Sequence, residues 1–169
     1  MKNIILIGFM GVGKGSVARE MVKQLGVVAL DTDDIIESME NRSIKKIFAT
    51  EGEQYFRDVE FKVAKWLEKS VKDTLISTGG GFYKVKNLNK IGTVILLDSP
   101  FEKIHERIIN HPNAVSKLKK RPLMQDLERA KALYNEREAQ YKKVADIVID
   151  VTEKSVEEIV KEIQKKAKL

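Results

Sequence analysis

Along the chain, apolar runs of four to six residues alternate with longer stretches whose apolar positions recur every three or four residues. Short continuous apolar runs suit strands buried on both faces of a parallel sheet, and the longer period suits helices. Strands are predicted over 3–7, 27–30, 74–77, 93–97 and 146–149. Helices are predicted over 14–25, 33–39, 43–48, 51–69, 100–110, 127–144 and 155–166. Ser43 is the expected cap of the third of these helices. Phe56, Val59, Val63, Trp66 and Leu67 fall at helical spacing in the fourth, and Trp66 is expected in the core. The alternation of the two periods predicts an α/β sheet flanked by helices. Ligands bind such sheets beyond the carboxyl ends of the strands, so chemistry should follow each apolar run.

After the first run comes Gly8-Phe9-Met10-Gly11-Val12-Gly13-Lys14-Gly15-Ser16. A strand, a glycine-rich turn, a lysine and a helix make the layout of a phosphate-binding P-loop. The turn aims backbone N–H groups inward, the helix N-terminus adds partial positive charge, and Lys14 adds a full cation. The usual loop places Ser or Thr directly after the lysine as a Mg²⁺ ligand. Here Gly15 holds that position and the hydroxyl comes one residue later, at Ser16.

The second run ends in Asp31-Thr32-Asp33-Asp34. A carboxylate at a strand end beside a P-loop suits Mg²⁺ or its waters. Asp33 stands where a helix begins, so capping and function are both open for it. Two carboxylates beside a nucleotide need a cation or a substrate hydroxyl between them, which directs Asp31 toward metal and Asp33 toward the phosphate acceptor. Arg57 suits either a surface ion pair or a site. The third run leads into Gly79-Gly80-Gly81, which makes sense where a ligand or another loop approaches the main chain. Residues 111–124 are polar and basic, lack a sustained apolar period and read as a mobile loop over phosphates.

Composition narrows the picture. A chain of 169 residues fits one domain, and the absence of cysteine excludes disulfide and thiolate chemistry. The opening apolar run is too short for a signal peptide or a membrane span, so a cytoplasmic protein without membrane contact is expected. Net charge is +6, from 31 Lys+Arg against 25 Asp+Glu. The excess collects in 117–121 and 161–168 without interleaved aromatics, so nucleic acid is not an expected partner. His105 and His111 have no metal-like companions in sequence.

Together, Gly8–Ser16, Asp31-Thr32-Asp33, Phe56-Arg57, Gly79-Gly80-Gly81, Arg121-Pro122-Leu123 and Glu136-Arg137 with Tyr141 resemble the shikimate kinase family in order and spacing, over essentially the whole chain. The resemblance implies a three-layer, nucleoside-monophosphate-kinase-like P-loop fold with a five-stranded parallel sheet of order 2-3-1-4-5. It implies one domain over 1–169, a shikimate-binding segment at about 33–60 and a mobile lid at about 111–124. The implied reaction moves the γ-phosphate of ATP to the 3-hydroxyl of shikimate, in aromatic amino-acid biosynthesis. The implied catalytic residues are Lys14, Asp33 and Arg121. ATP would meet Gly11, Val12, Gly13, Lys14, Gly15, Ser16, Arg107 and Arg121. Shikimate would meet Asp33, Arg57, Gly79, Gly80, Gly81 and Arg137. Mg²⁺ would be held at Asp31 and Ser16, with Gly15 the departure from the family pattern. A monomer is expected.

The residue chemistry agrees with these roles. Shikimate carries a carboxylate, and paired guanidinium forks match its two oxygens. Two rivals are a kinase for another hydroxy acid, such as gluconate, and a non-catalytic nucleotide-binding module. Tyr141 shares a helical face with Arg137, and either support of Arg137 or a plain core place suits it.

Overall fold

The computed structural model describes residues 2–169, with the Pro122 side chain outside the description. Strand β1 (Ile4–Ile7) feeds a glycine loop and helix α1 (Lys14–Leu25). Then come β2 (Val28–Asp31), α2 (Thr32–Glu40), α3 (Ile44–Ser70) and β3 (Thr74–Ser77). A short α4 (Leu88–Ile91) precedes β4 (Thr93–Asp98), α5 (Phe101–Ile109) and α6 (Ala114–Lys119). The chain closes with α7 (Leu127–Val144), β5 (Ile147–Asp150) and α8 (Val156–Ala167). All strand pairs are parallel, in the order β2-β3-β1-β4-β5. Among the described residues no helix is long and apolar enough to cross a membrane.

The central strand β1 is apolar throughout because helices flank the sheet on both sides. Ile4, Ile5, Leu6 and Ile7 are all buried, with Ile5 in register with Ile76 on one side and Val94 on the other. Asn3, expected inside the strand, instead ties together the amino end of the sheet. Its side-chain nitrogen donates to the carbonyls of Val71 (2.8 Å) and Ile91 (3.0 Å). Its side-chain oxygen accepts from Thr74 N–H (3.1 Å). At the other end Thr78 Oγ1 donates to the Leu6 carbonyl (2.8 Å), and Gly79 N–H donates to Thr32 Oγ1 (3.1 Å). These bonds fix the strand ends from which the site is built.

Ser43 caps α3 as expected, accepting from Lys46 N–H. Gly52, with φ of 84°, breaks that helix where two were predicted. One open reading is settled and two expectations need correction. Asp31, not Asp33, caps α2: its Oδ1 accepts from the N–H groups of Asp33 (2.9 Å) and Asp34 (3.4 Å). Trp66 is 45% exposed, because the buried face of α3 runs through Val59, Val63, Ala64 and Leu67 and leaves it to one side. The basic segment 111–124 is not simply a loop. It holds α6 and a 3₁₀ turn at Pro122–Gln125, pinned by buried Met124 and half-buried Leu118.

Candidate functional site

A cleft of about 330 Å³ opens beyond the carboxyl ends of β1, β2 and β3. Its floor is the glycine loop. Gly13 has φ of 109°, so a side chain there would be strained, and a Cβ would run into the Arg107 guanidinium. Arg107 Nη1 reaches over from α5 and donates to the Val12 carbonyl (2.9 Å), bracing the loop. Phe9 packs edge-on against Tyr134 and Phe101 beneath the loop, with centroids 5.4 and 6.2 Å away.

Lys14 lines the cleft and donates to the carbonyls of Gly8 (2.7 Å) and Phe9 (3.2 Å). Burial lowers its ammonium to about 8, although Asp33 and Asp31 act in the opposite sense. Asp31 and Asp33 face Lys14 across the same cleft, together with Gly15 and Ser16. Burial, then Asp31 and Glu60, push Asp33 up to about 7. Its Oδ1 is buried and has no partner among the described residues. Such atoms in native proteins normally find one, so a bound ligand is the natural complement. On the lid side, Arg121 and Lys117 complete the wall. Arg121 Nη1 donates to the Lys117 carbonyl (3.3 Å), and burial lowers its guanidinium from the ordinary value.

The three consecutive glycines explain how the remaining predicted residues meet. Each touches a different one of them. A Cβ on Gly79 would stand 2.5 Å from Asp33 Oδ1, and one on Gly80 would stand 3.2 Å from Arg137 Nη1. One on Gly81 would collide with the Arg57 guanidinium. One acid from α2, one guanidinium from α3 and one from α7 thus converge on three consecutive residues of turn. Arg137 is buried, and its Nε has no partner among the described residues. Arg57 pairs with buried Glu60 (2.5 Å) behind the glycine turn and with Glu53 (3.3 Å) at the surface, so one of its two ion pairs is buried. Burial lowers the Arg57 guanidinium's pKa, but the two carboxylates more than offset this and hold it above the usual value.

One participant, Glu60, escaped the sequence reading, which leaves two roles open for Tyr141. Glu60 is 1% exposed, and burial raises its pKa despite Arg57 beside it. The signal available was its i, i+3 spacing from Arg57, which places both on one helical face. Tyr141 donates its hydroxyl to the Gly80 carbonyl (2.5 Å), so it supports the turn as well as packing in the core.

A second cleft of about 280 Å³ adjoins the first, and Val12 and Arg107 border it. Its far wall is Thr152, Glu153 and Lys154, after β5, and Ser99, whose carbonyl accepts from Tyr134 Oη (2.9 Å). Arg107 lines both clefts.

The donor set bears on metal binding. Among the described residues no group of three or more His, Cys, Asp or Glu is placed to hold an ion. Mg²⁺ is usually held by one or two carboxylates plus substrate phosphates, and Asp31, lining the cleft beside Ser16, fits that pattern. Capping engages Asp31 Oδ1 and not its second oxygen, and the residue lines the cleft.

Comparison with known proteins gives a consistent result. A family model described as shikimate kinase matches residues 10–168. A shikimate kinase of Helicobacter hepaticus is 39% identical over 171 residues, covering 97% of this chain and 99% of the relative. One of Lactococcus lactis is 38% identical over 169 residues, covering 97% of each. Among solved structures, shikimate kinase from Acinetobacter baumannii in complex with shikimate superposes with a TM-score of 0.86 at 31% identity. It covers 99% of this chain, which in turn spans 94% of it. The Aquifex aeolicus enzyme gives 0.79 at 37% identity, covering 98% and 96%.

Proposed function

The chain belongs to the shikimate kinase family, and from that premise we propose how its own residues move the γ-phosphate of ATP to the 3-hydroxyl of shikimate. The observation that carries the reading is the glycine turn, which gathers Asp33, Arg137 and Arg57 beside the phosphate loop. Arg57 and Arg137 take the shikimate carboxylate between two guanidinium forks. Glu60 holds Arg57 in place. Asp33 accepts from the ring hydroxyls, and the backbone of Gly80 and Gly81 lies close to the ring, with the absent Cβ atoms leaving room for Asp33, Arg137 and Arg57 to reach it.

ATP lies across both clefts. Its phosphates meet the N–H groups of Gly11, Gly13, Gly15 and Ser16, and the charges of Lys14 and Arg121, while Val12 N–H is spent on the Phe9 carbonyl (3.2 Å) and holds the loop's shape. Arg107 covers the base, with residues 152–154 on its other side. Phosphoryl transfer asks for alignment and charge neutralisation rather than covalent help. The 3-hydroxyl oxygen bonds to the γ-phosphorus, the bond to the β,γ-bridging oxygen breaks, and ADP leaves with that electron pair. Asp33 receives the hydroxyl proton, for which a carboxyl titrating at about 7 is well matched near neutrality. Bound Mg²⁺ would neutralise phosphate charge. Asp31 and the Ser16 hydroxyl are the side chains suited to hold it beside the nucleotide oxygens. Residues 111–124, carrying Lys117 and Arg121, act as the lid, and residues 33–60 as the acceptor segment. Every residue in this scheme comes from one chain, so a monomer suffices, with neither nucleic acid nor membrane.

The test is transfer of phosphate from MgATP to shikimate by the purified chain, with gluconate as a competing acceptor. Turnover with shikimate alone is expected. Turnover with gluconate alone, or with neither acid, would overturn the assignment.

A further inference from the structure

Resting on that kinase reading, we propose that Arg19 binds the nucleotide phosphates directly and supplies the positive character that a metal-binding hydroxyl at position 15 usually provides. Gly15 and Arg19 are one turn apart on α1 and share a face. A Cβ on Gly15 would meet one neighbour, Arg19 Nη1, at 3.5 Å. A hydroxyl at residue 15 would therefore extend toward the room that this guanidinium occupies. Arg19 lines the phosphate cleft together with Lys14, Lys117 and Arg121.

Its surroundings leave it available to an anion. Arg19 Nη2 donates a long bond of 3.4 Å to Ser16 Oγ, and no carboxylate pairs with it among the described residues. It adds to the charge already converging there: burial, then Arg121, Arg107 and Arg19, lower the Lys117 ammonium. Arg19, Arg107, Lys117 and Arg121 have no carboxylate in an ion pair with them among the described residues, although Asp31 and Asp33 line the same cleft, and their crowding carries an electrostatic cost that a polyphosphate removes. A guanidinium is the side chain best shaped for that partner, because its fixed fork meets two phosphate oxygens at once. The usual loop acts on the phosphates through a metal bound to its hydroxyl. This chain has glycine there and an arginine reaching across the gap.

Calorimetric titration of the full chain with ADP, in EDTA and in Mg²⁺, tests the assignment. Arg19→Met keeps the length of the side chain and removes its charge. Its Kd for ADP in EDTA is expected to rise about tenfold, as for a lost charge-assisted hydrogen bond. The Kd for shikimate should not change. Arg19→Lys should recover part of the loss, which also shows that the site still folds. Adding Gly15→Ser to Arg19→Met should restore ADP binding in Mg²⁺ but not in EDTA. An unchanged ADP Kd in EDTA for Arg19→Met would overturn the proposal. So would a loss that disappears in a Ser16→Ala background, since Arg19 would then act only through Ser16. ADP binding needs no acceptor, so these results stand apart from failure of the chain to phosphorylate shikimate.

Discussion

The carboxylate of Asp33 rests against Gly79 so closely that a Cβ at residue 79 would lie 2.5 Å from Oδ1. Two chain segments 46 positions apart share this space, and only a hydrogen atom fits between them. Gly79→Ala must displace Asp33. Misplacement of a reacting group by about 1 Å costs on the order of 100-fold in rate, so kcat/KM for shikimate should fall by about that factor. Thermal unfolding should show only the smaller overpacking penalty, about 1–3 kcal/mol. An alanine variant with full activity would mean that Asp33 has no fixed place in the reaction.

Glu60→Gln tests the support of Arg57. The variant keeps the shape and removes the buried charge paired at 2.5 Å. Arg57 would then lean toward Glu53, which is 61% exposed and lies outside the pocket. The KM for shikimate should rise about tenfold, as for one weakened charge-assisted contact, while the KM for ATP stays unchanged. Equal losses for both substrates would assign Glu60 to general stability.

Asp33 gives a pH signature in the ligand-free, metal-free protein. Its carboxyl is raised from 3.8 to about 7, so it is protonated below that pH and charged above it. A carboxylate accepts hydroxyl hydrogen bonds more strongly than a neutral acid. Shikimate affinity should therefore increase as pH rises from 6 to 8, and Asp33→Asn should flatten the profile. The linkage to stability has the opposite sense. The folded state holds this proton more tightly than the unfolded chain, so the contribution of Asp33 is fully present below pH 3.8 and is lost as pH rises through about 7.

Arg107 serves two clefts at once. Arg107→Ala removes the bond to the Val12 carbonyl and the cover proposed for the base. The KM for ATP should rise about tenfold or more, since a brace and a contact are lost together. Shikimate binding measured without nucleotide should stay at the wild-type value. A change in that value would show that the loop and the acceptor pocket are coupled.

The central parallel strand, buried on both faces, left its mark on the chain as the unbroken apolar run of β1, and β3 begins and ends where predicted. The 3.6-residue period gave α1 and α7 to the residue. Errors arose where one residue type serves several ends. Aspartate caps helices and also binds ligands, so Asp31 and Asp33 were distinguished only by the bonds to Asp31 Oδ1. Trp66 sits near the buried face of α3 without joining it, and a window of apolar residues does not resolve that rotation. The segment 111–124 is too short and too basic to display a helical period, yet Leu118 and Met124 anchor it.

What the sequence determined by itself is the order of elements and the chemistry carried after each strand, because both follow from local periods and from motifs contiguous in the chain. Only the tertiary structure decided that Asp33, Arg57 and Arg137 address one turn, each against its own glycine. They come from three helices, and their meeting depends on strand order and on helix rotation about the sheet, neither of which is local. The same holds for Arg107 on the Val12 carbonyl, a bond across 95 positions that only packing brings within reach.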